Sequence, residues 1–217
     1  MIGFNRRERD RQTRRAEIIA AAEKVFFESG FDGATMDEIA RVAQFTKRTV
    51  YQYFKDKEDL YFAVALKCVS ELRAYVQRAV EAASTGVTKI RLLSEAYYRF
   101  SKDSPDAFRL INHASQVAAQ RTTGGQPREI TRVGTGVYQE LADVIAVGQR
   151  DGSIRTDLEA AEGAFSVFLL ITGFFYRLSL VGGAYEEAYG ASEDRLARLG
   201  IDLLERAIRA GEQPRSW

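Results

Sequence analysis

Apolar residues recur every three or four positions along most of this chain, which is the period of an α-helix. Strand-like alternation is rare, and the 217 residues include only three prolines. The pattern predicts an all-α fold of about nine helices. Their predicted spans are about 13–29, 35–43, 47–53, 56–83, 88–101, 105–119, 127–150, 160–180 and 192–210.

Two short helices follow each other between positions 35 and 54. Thr35 and Glu38 have the T-x-x-E spacing of a capping box, which predicts a helix start. Thr46 is placed to cap the second helix, whose inward residues are Val50 and Phe54. Two short helices joined by a tight turn predict a helix-turn-helix. The narrow apolar face of the first helix comprises Met36, Ile39, Ala40 and Ala43.

The outward face of the second helix carries hydroxyl, amide and cationic groups beside two tyrosines. Lysine, arginine and hydroxyl side chains bind phosphate, and in the major groove arginine reads guanine and glutamine reads adenine. A solvated face is the alternative, but it has no need of two tyrosines. We therefore predict that this face meets double-stranded DNA. Its residues are Lys47, Arg48, Thr49, Tyr51, Gln52 and Tyr53.

The same segment resembles the DNA-binding domain of the TetR family of transcriptional regulators. The family pattern T-x-x-x-I-A, A-G-V-S, K-x-T-[LV]-Y-x-Y-F and K-x-K-E-x-L aligns with 35–40, 43–46, 47–54 and 55–60. One departure is Gln44, which stands where glycine is usual. If the backbone there has a positive φ, a side chain costs about 1 kcal/mol and the turn is altered.

The resemblance implies a helix-turn-helix head at 13–55 and a ligand-binding and dimerisation domain at 56–217. Residues 1–12 are predicted to form a flexible, arginine-rich arm that either binds DNA or only aids solubility. Lys55 and Lys57 oppose the dipole of the fourth helix, which favours a phosphate contact for both. The predicted DNA-binding residues are Thr35, Thr46, Lys47, Arg48, Thr49, Tyr51, Gln52, Tyr53, Lys55 and Lys57.

The segment 160–180 is apolar on all sides, and a loop is predicted at Gly182-Gly183. The uncharged run ends at Arg177 and is shorter than the roughly 20 residues of a membrane span, so we predict no membrane partner. The resemblance implies that this helix and the last one pair with their copies in a homodimer. The predicted interface residues are Phe174, Leu178, Leu196, Leu199 and Leu203.

The resemblance also implies a small-molecule effector. Aromatic residues with a few polar tips suit an apolar or aromatic ligand, although for any one of them taken singly a core position is the favoured interpretation. No Cys or His stands near the single histidine, so no metal or other cofactor is predicted. The predicted ligand-binding residues are Tyr97, Tyr98, Phe108, His113, Tyr138, Phe165, Phe168 and Phe175.

The formal net charge is only +1, so overall composition does not indicate a nucleic-acid partner. The function has to be inferred from local features. The single Cys68 excludes an intrachain disulfide and, with no signal peptide visible, favours the cytoplasm. Common catalytic motifs are absent, so no enzyme is predicted. The leading hypothesis is a dimeric regulator, most often a repressor, released from a palindromic operator by its effector. The alternatives are a helical scaffold without DNA binding and an enzyme that uses carboxylates alone.

Overall fold

The computed structural model describes residues 6–120 and 128–211, without the side chains of 119, 120 and 128–135. The predicted loop at 121–126 and Pro127 lie outside these ranges. The described residues form nine α-helices and, apart from one isolated bridge between Ile154 and Arg209, no β-structure. The helices are α1 Arg6–Gly33, α2 Met36–Val42, α3 Lys47–Tyr51, α4 Lys57–Val80, α5 Gly86–Asp103, α6 Pro105–Gln120, α7 Arg128–Arg150, α8 Ala160–Tyr189 and α9 Glu193–Ile208. The all-α prediction is confirmed.

Contacts divide the chain into two compact units. The first contains Met1–Ser70 and Asp106–Thr122, and the second contains Glu71–Pro105 and Thr123–Trp217. Helix α4 contributes to both units. The functional division at residue 55 is a separate question and stays a prediction.

Helix α1 begins earlier than its apolar stripe indicates. Residues 6–12, predicted to lie in a flexible arm, are helical. Arginine and glutamine are good helix formers, and the helix extends through them although none is buried. The predicted end near position 29 coincides with a break at Gly30, whose φ is +68°.

The turn after α2 places Gln44 in a left-handed backbone conformation. The Phe45 amide donates to the Ala40 carbonyl (3.0 Å) and the Gln44 amide donates to the Arg41 carbonyl (3.2 Å). This is the Schellman arrangement, whose left-handed position is usually glycine. Gln44 occupies that position with φ +58°, so the predicted strain is present.

The second unit is built on α5, α7, α8 and α9. Its core includes Ile90, Ile145 and Ile154, which are almost fully buried. The backbone at the start of α5 contacts the backbone at the end of α7. A Cβ added to Gly86 would lie only 2.3 Å from the Gly148 Cα. Only glycine at position 86 allows this approach.

Helix α8 is longer than predicted, and the expected loop at Gly182-Gly183 is wrong. The helix continues to Tyr189, where Gly190 ends it with φ +65°. Gly182 is buried, and a Cβ there would lie 2.8 Å from the Cγ of Glu193, so glycine serves close packing rather than a turn.

The uncharged run of α8 still ends at Arg177, but the whole helix is long enough for a membrane span. By length and composition α8 could cross a membrane, with a mean hydropathy of 1.8 over its most apolar 18 residues. Core helices of soluble proteins pass the same test, so this is weak evidence for a membrane.

Candidate nucleic-acid interface

Threonine residues cap the first turns of α2 and α3. The Thr35 hydroxyl oxygen accepts from the Glu38 amide at 3.2 Å, as the capping box predicts. Thr46 accepts from the Thr49 amide at 3.1 Å, and the two threonine hydroxyls lie 2.8 Å apart. Each cap satisfies a backbone donor that the first helical turn leaves free. Thr35 therefore marks where α2 begins, and Thr46 marks where α3 begins.

Apolar contacts then fix which way α3 faces. Val50 is fully buried and Phe54 nearly so, as predicted. The opposite side of the segment is solvated: Arg48 and Gln52 are exposed, and Tyr51 is 46% exposed. Helix α3 itself ends at Tyr51, so Gln52 is its C-cap and Tyr53 lies beyond it, half-buried. The sequence prediction placed the end two residues later.

Lys47 begins α3 and forms an exposed ion pair with Asp37 of α2. The Nζ to Oδ2 distance is 2.7 Å. The hydrogen bond to Asp37, and then the carboxylate's charge, raise the pKa of Lys47 above its ordinary value. Exposed pairs of this kind are weak in water. A phosphate can therefore displace Asp37 from the ammonium at little cost.

The two lysines around Asp56 have different environments. Lys55 is exposed, and its amide donates to the Asp59 carboxylate at 2.9 Å. The Lys57 ammonium donates to three main-chain carbonyls, those of Phe31 (2.7 Å), Ala34 (3.0 Å) and Asp32 (3.3 Å). These acceptors take all three of its protons. The geometry thus favours a structural role for Lys57, closing the end of α1, over the predicted phosphate contact.

The predicted ligand residues fall into separate clusters. In the second unit, the Phe175 ring lies 6.1 Å from Tyr97 and 5.4 Å from Tyr98. Both Tyr97 and Phe175 are buried. Burial, followed by a hydrogen bond to Asp194, raises the pKa of the Tyr98 phenol. This cluster is a core contact with one polar edge.

A second cluster in the same unit joins α7 and α8. Tyr138 lies 4.6 Å from Phe168 and 5.4 Å from Phe165, ring centre to ring centre. Phe165 is half exposed, and burial raises the pKa of the Tyr138 phenol. Aromatic residues in edge-on and tilted contact, with one ring half exposed, offer an apolar surface to a ligand or to another helix.

The remaining two ligand candidates lie in the first unit. Phe108 is almost fully buried. The Nδ1 of His113 lies 2.7 Å from the hydroxyl of Tyr61, whose pKa burial raises to about 12. The Tyr61 ring meets Phe31 edge-on at 4.8 Å. The single histidine therefore has a protein partner, and the single cysteine, Cys68, is fully buried.

A cleft that the sequence pattern does not predict lies inside this first unit. It has a volume of about 240 Å³ and opens to solvent. Its lining comes from the end of α1, from α4 and from α6, three segments far apart in sequence. The lining residues are Phe26, Phe27, Gly30, Phe31, Asp32, Tyr61, Asp106, Arg109, Leu110 and His113.

The predicted interface residues differ in exposure. Leu203 is 59% exposed, Leu199 54% and Phe174 40%. Leu196 is half-buried. Leu178 is only 6% exposed and belongs to the core of its own unit, so it has little area to offer a partner.

Comparison with known proteins matches the helix-turn-helix to one family. The model of the family described as bacterial regulatory proteins, tetR family, matches residues 18–64. A solved structure of a TetR-family transcriptional regulator from Pectobacterium atrosepticum superposes with a TM-score of 0.70 at 20% identity, covering 94% of this chain and 95% of that one. Residues 18–64 therefore form a TetR-family DNA-binding domain. The resemblance seen in the sequence is confirmed, and the chain as a whole shares its fold with that solved structure.

The proteins that this chain is similar to include an activator and a protein solved with a bound ligand. The HTH-type transcriptional activator FasR of Mycolicibacterium smegmatis is 35% identical over 115 residues, which are 51% of this chain and 52% of FasR. The chain thus matches about half the length of that relative. A structure of AibR in complex with isovaleryl coenzyme A and operator DNA has a TM-score of 0.64 at 19% identity, covering 88% of this chain and 97% of that one.

Proposed function

We propose that this regulator binds a palindromic DNA operator as a two-fold dimer and that a small molecule releases it. The observation that supports DNA binding is the exposed face of α3, a helix that is capped by Thr46 and anchored by the buried Val50. Arg48 and Gln52 are the exposed residues with the geometry to read bases. Phosphate contacts come from Thr35, Thr46, Lys47, Thr49, Tyr51, Tyr53 and Lys55.

The dimer proposal is supported by exposed leucines on α9 and an exposed phenylalanine on α8. Leu199, Leu203 and Phe174 are large apolar side chains with 40% or more of their surface in solvent. Exposed apolar residues that lie together mark an interaction surface. A two-fold dimer places two α3 helices on half-sites about one helical turn apart, roughly 34–36 Å.

The effector proposal is supported by the aromatic cluster of Tyr138, Phe165 and Phe168, which has an open face. Such a surface suits an apolar or aromatic molecule. The effector shifts the dimer toward a form that does not bind the operator only as far as it binds that form more tightly. We propose repression as the outcome, because release from DNA by ligand then turns transcription on.

Selection of bound duplexes from a random DNA pool tests the proposal. We expect a palindrome whose half-sites lie about one helical turn apart. Arg48→Ala is expected to relax selectivity at one base pair per half-site, and Lys47→Ala to weaken binding to all sequences alike. An equal loss of selectivity in both variants would contradict these roles.

A reporter gene under the selected operator separates repressor from activator. Repression predicts higher expression when the regulator is deleted, and activation predicts lower expression. If no duplex is enriched over background, the chain acts as a helical scaffold and the proposal is wrong.

A further inference from the structure

The first three turns of α1 do not pack against the hydrophobic core. Every residue from 6 to 17 is exposed, and burial begins only at Ile18. Isolated helices shorter than about 12–15 residues are marginal in water. This exposed extension therefore draws its stability from the rest of α1 and has its whole surface available to a partner.

Four of its arginines lie on one side of the helix. Positions 7, 11, 14 and 15 are three or four residues apart, and the same spacing continues to Ile18, Ala22 and Val25, which are buried. We call Arg7, Arg11, Arg14 and Arg15 the arginine face. It is thus the outward continuation of the side of α1 that packs on the helix-turn-helix. Arg6 and Arg9 point in other directions.

Arg15 ties this face to the recognition segment. Its guanidinium lies 5.0 Å from the centre of the Phe54 ring, a cation–π distance. Phe54 is buried and follows α3 by three residues, next to the exposed Lys55. The arginine face therefore begins beside the end of the DNA-facing segment and runs away from it.

The charge of the extension is unlike that of the chain. Residues 6–15 contain six arginines against Glu8 and Asp10, a formal charge of +4, in a chain whose net charge is +1. Guanidinium groups bind phosphate with two parallel hydrogen bonds. From Arg7 to Arg15 the helix rises about 12 Å. That is comparable with the axial span of about three phosphates on one DNA strand.

We propose that the arginine face binds the DNA backbone beside each half-site, outside the base pairs that α3 reads. The inference rests on the proposed function, since it needs an operator. A membrane surface is disfavoured because residues 6–15 include no apolar side chain to enter a bilayer. The face adds affinity without sequence preference, because phosphate contacts carry no base information.

The test compares two variants of equal charge in the full chain. Arg7→Gln with Arg11→Gln removes half of the arginine face, and Arg6→Gln with Arg9→Gln removes two arginines elsewhere on the same turns. We measure affinity for the selected operator as a function of salt concentration. One duplex carries flanking base pairs on both sides, and the other is trimmed to the half-sites. We expect the face variant to lose about 0.9 from the salt slope for each phosphate contact removed. At moderate salt its affinity falls on the order of tenfold, well beyond the control.

Trimming the flanks is expected to weaken the wild type and to leave the face variant nearly unchanged. Circular dichroism is expected to show the same helix content in both variants, since glutamine is a good helix former. If the face variant unfolds, Arg7→Lys with Arg11→Lys keeps the charge and is expected to recover most of the salt slope.

The outcomes separate the inference from the proposed function. A wild type that binds no duplex overturns both. A wild type that binds its operator, with face and control variants weakened alike, overturns the inference alone. Loss of binding to phosphatidylserine vesicles without any loss on DNA overturns it in favour of a membrane surface.

Discussion

At the scale of the residue, Gln44 holds a conformation that suits glycine. Its left-handed φ of +58° costs a side chain about 1 kcal/mol. Gln44→Gly is therefore expected to raise the free energy of unfolding by about 0.5–1 kcal/mol, because glycine's entropy in the unfolded chain offsets part of the gain. Urea unfolding measures this, with Gln44→Asn as an intermediate case. A less stable glycine variant would contradict the strain.

Lys55 and Lys57 are two residues apart and are expected to separate DNA binding from stability. Lys57→Gln removes an ammonium from three carbonyls at the end of α1 and is expected to cost about 1–3 kcal/mol of stability. Lys55→Gln removes an exposed charge and is expected to lower only the salt slope of DNA binding. Urea unfolding and operator titrations on both variants measure the two effects. The reverse pattern would restore Lys57 as a phosphate contact.

At the scale of the element, the start of α5 depends on a carboxylate from the end of α7. Asp151 accepts from the Gly86 amide at 2.9 Å and from the Ser153 amide at 2.9 Å. Hydrogen bonds from Ser153, and then from Gly86, lower the pKa of Asp151 below its ordinary value. The folded protein therefore binds this proton less readily than the unfolded chain does.

The contribution of Asp151 to stability is larger at neutral pH than in acid. The stabilisation by Asp151 is fully present above its unfolded pKa, about 4, and is lost as the pH falls through the lower folded value. Asp151→Asn is therefore expected to be less stable than the wild type at pH 7, with the difference shrinking at pH 3. Urea midpoints at both pH values test this, with the exposed Asp143→Asn as control. A difference that stays constant with pH would contradict it.

Local sequence patterns were sufficient to predict the short helices α2 and α3. Features that depend on contacts between residues far apart in sequence differed from their predictions. The caps at Thr35 and Thr46 and the inward Val50 and Phe54 follow from spacing alone. The continuation of α8 through Gly182 did not, because it depends on contact with Glu193, eleven residues later. The site shows the same division. The exposed α3 face was predictable, whereas the role of Lys57 depends on carbonyls more than twenty residues away.

At the scale of the whole molecule, the exposed leucines of α9 are expected to hold two copies together. Leu199→Glu with Leu203→Glu places charges on this surface and is expected to yield a folded monomer with operator affinity lowered at least 100-fold, since each half-site then binds alone. Sedimentation velocity and operator titration measure both. Leu199→Met with Leu203→Met keeps the apolar surface and serves as control. A dimeric glutamate variant would place the interface elsewhere.

Gly86 and Gly148 bear on how this sequence can diverge. An alanine at 86 would press on the Gly148 backbone, which no rotamer change relieves. An alanine at 148 would press on the Ile154 side chain, 2.5 Å away, which a smaller residue at 154 can relieve. In a saturation library, position 86 should accept glycine alone. The Cγ1 of Ile154 would also lie 2.6 Å from the added Cβ, and valine keeps that atom. Position 148 should therefore accept alanine only once residue 154 has become alanine, so its drift depends on the order in which the two mutations arise.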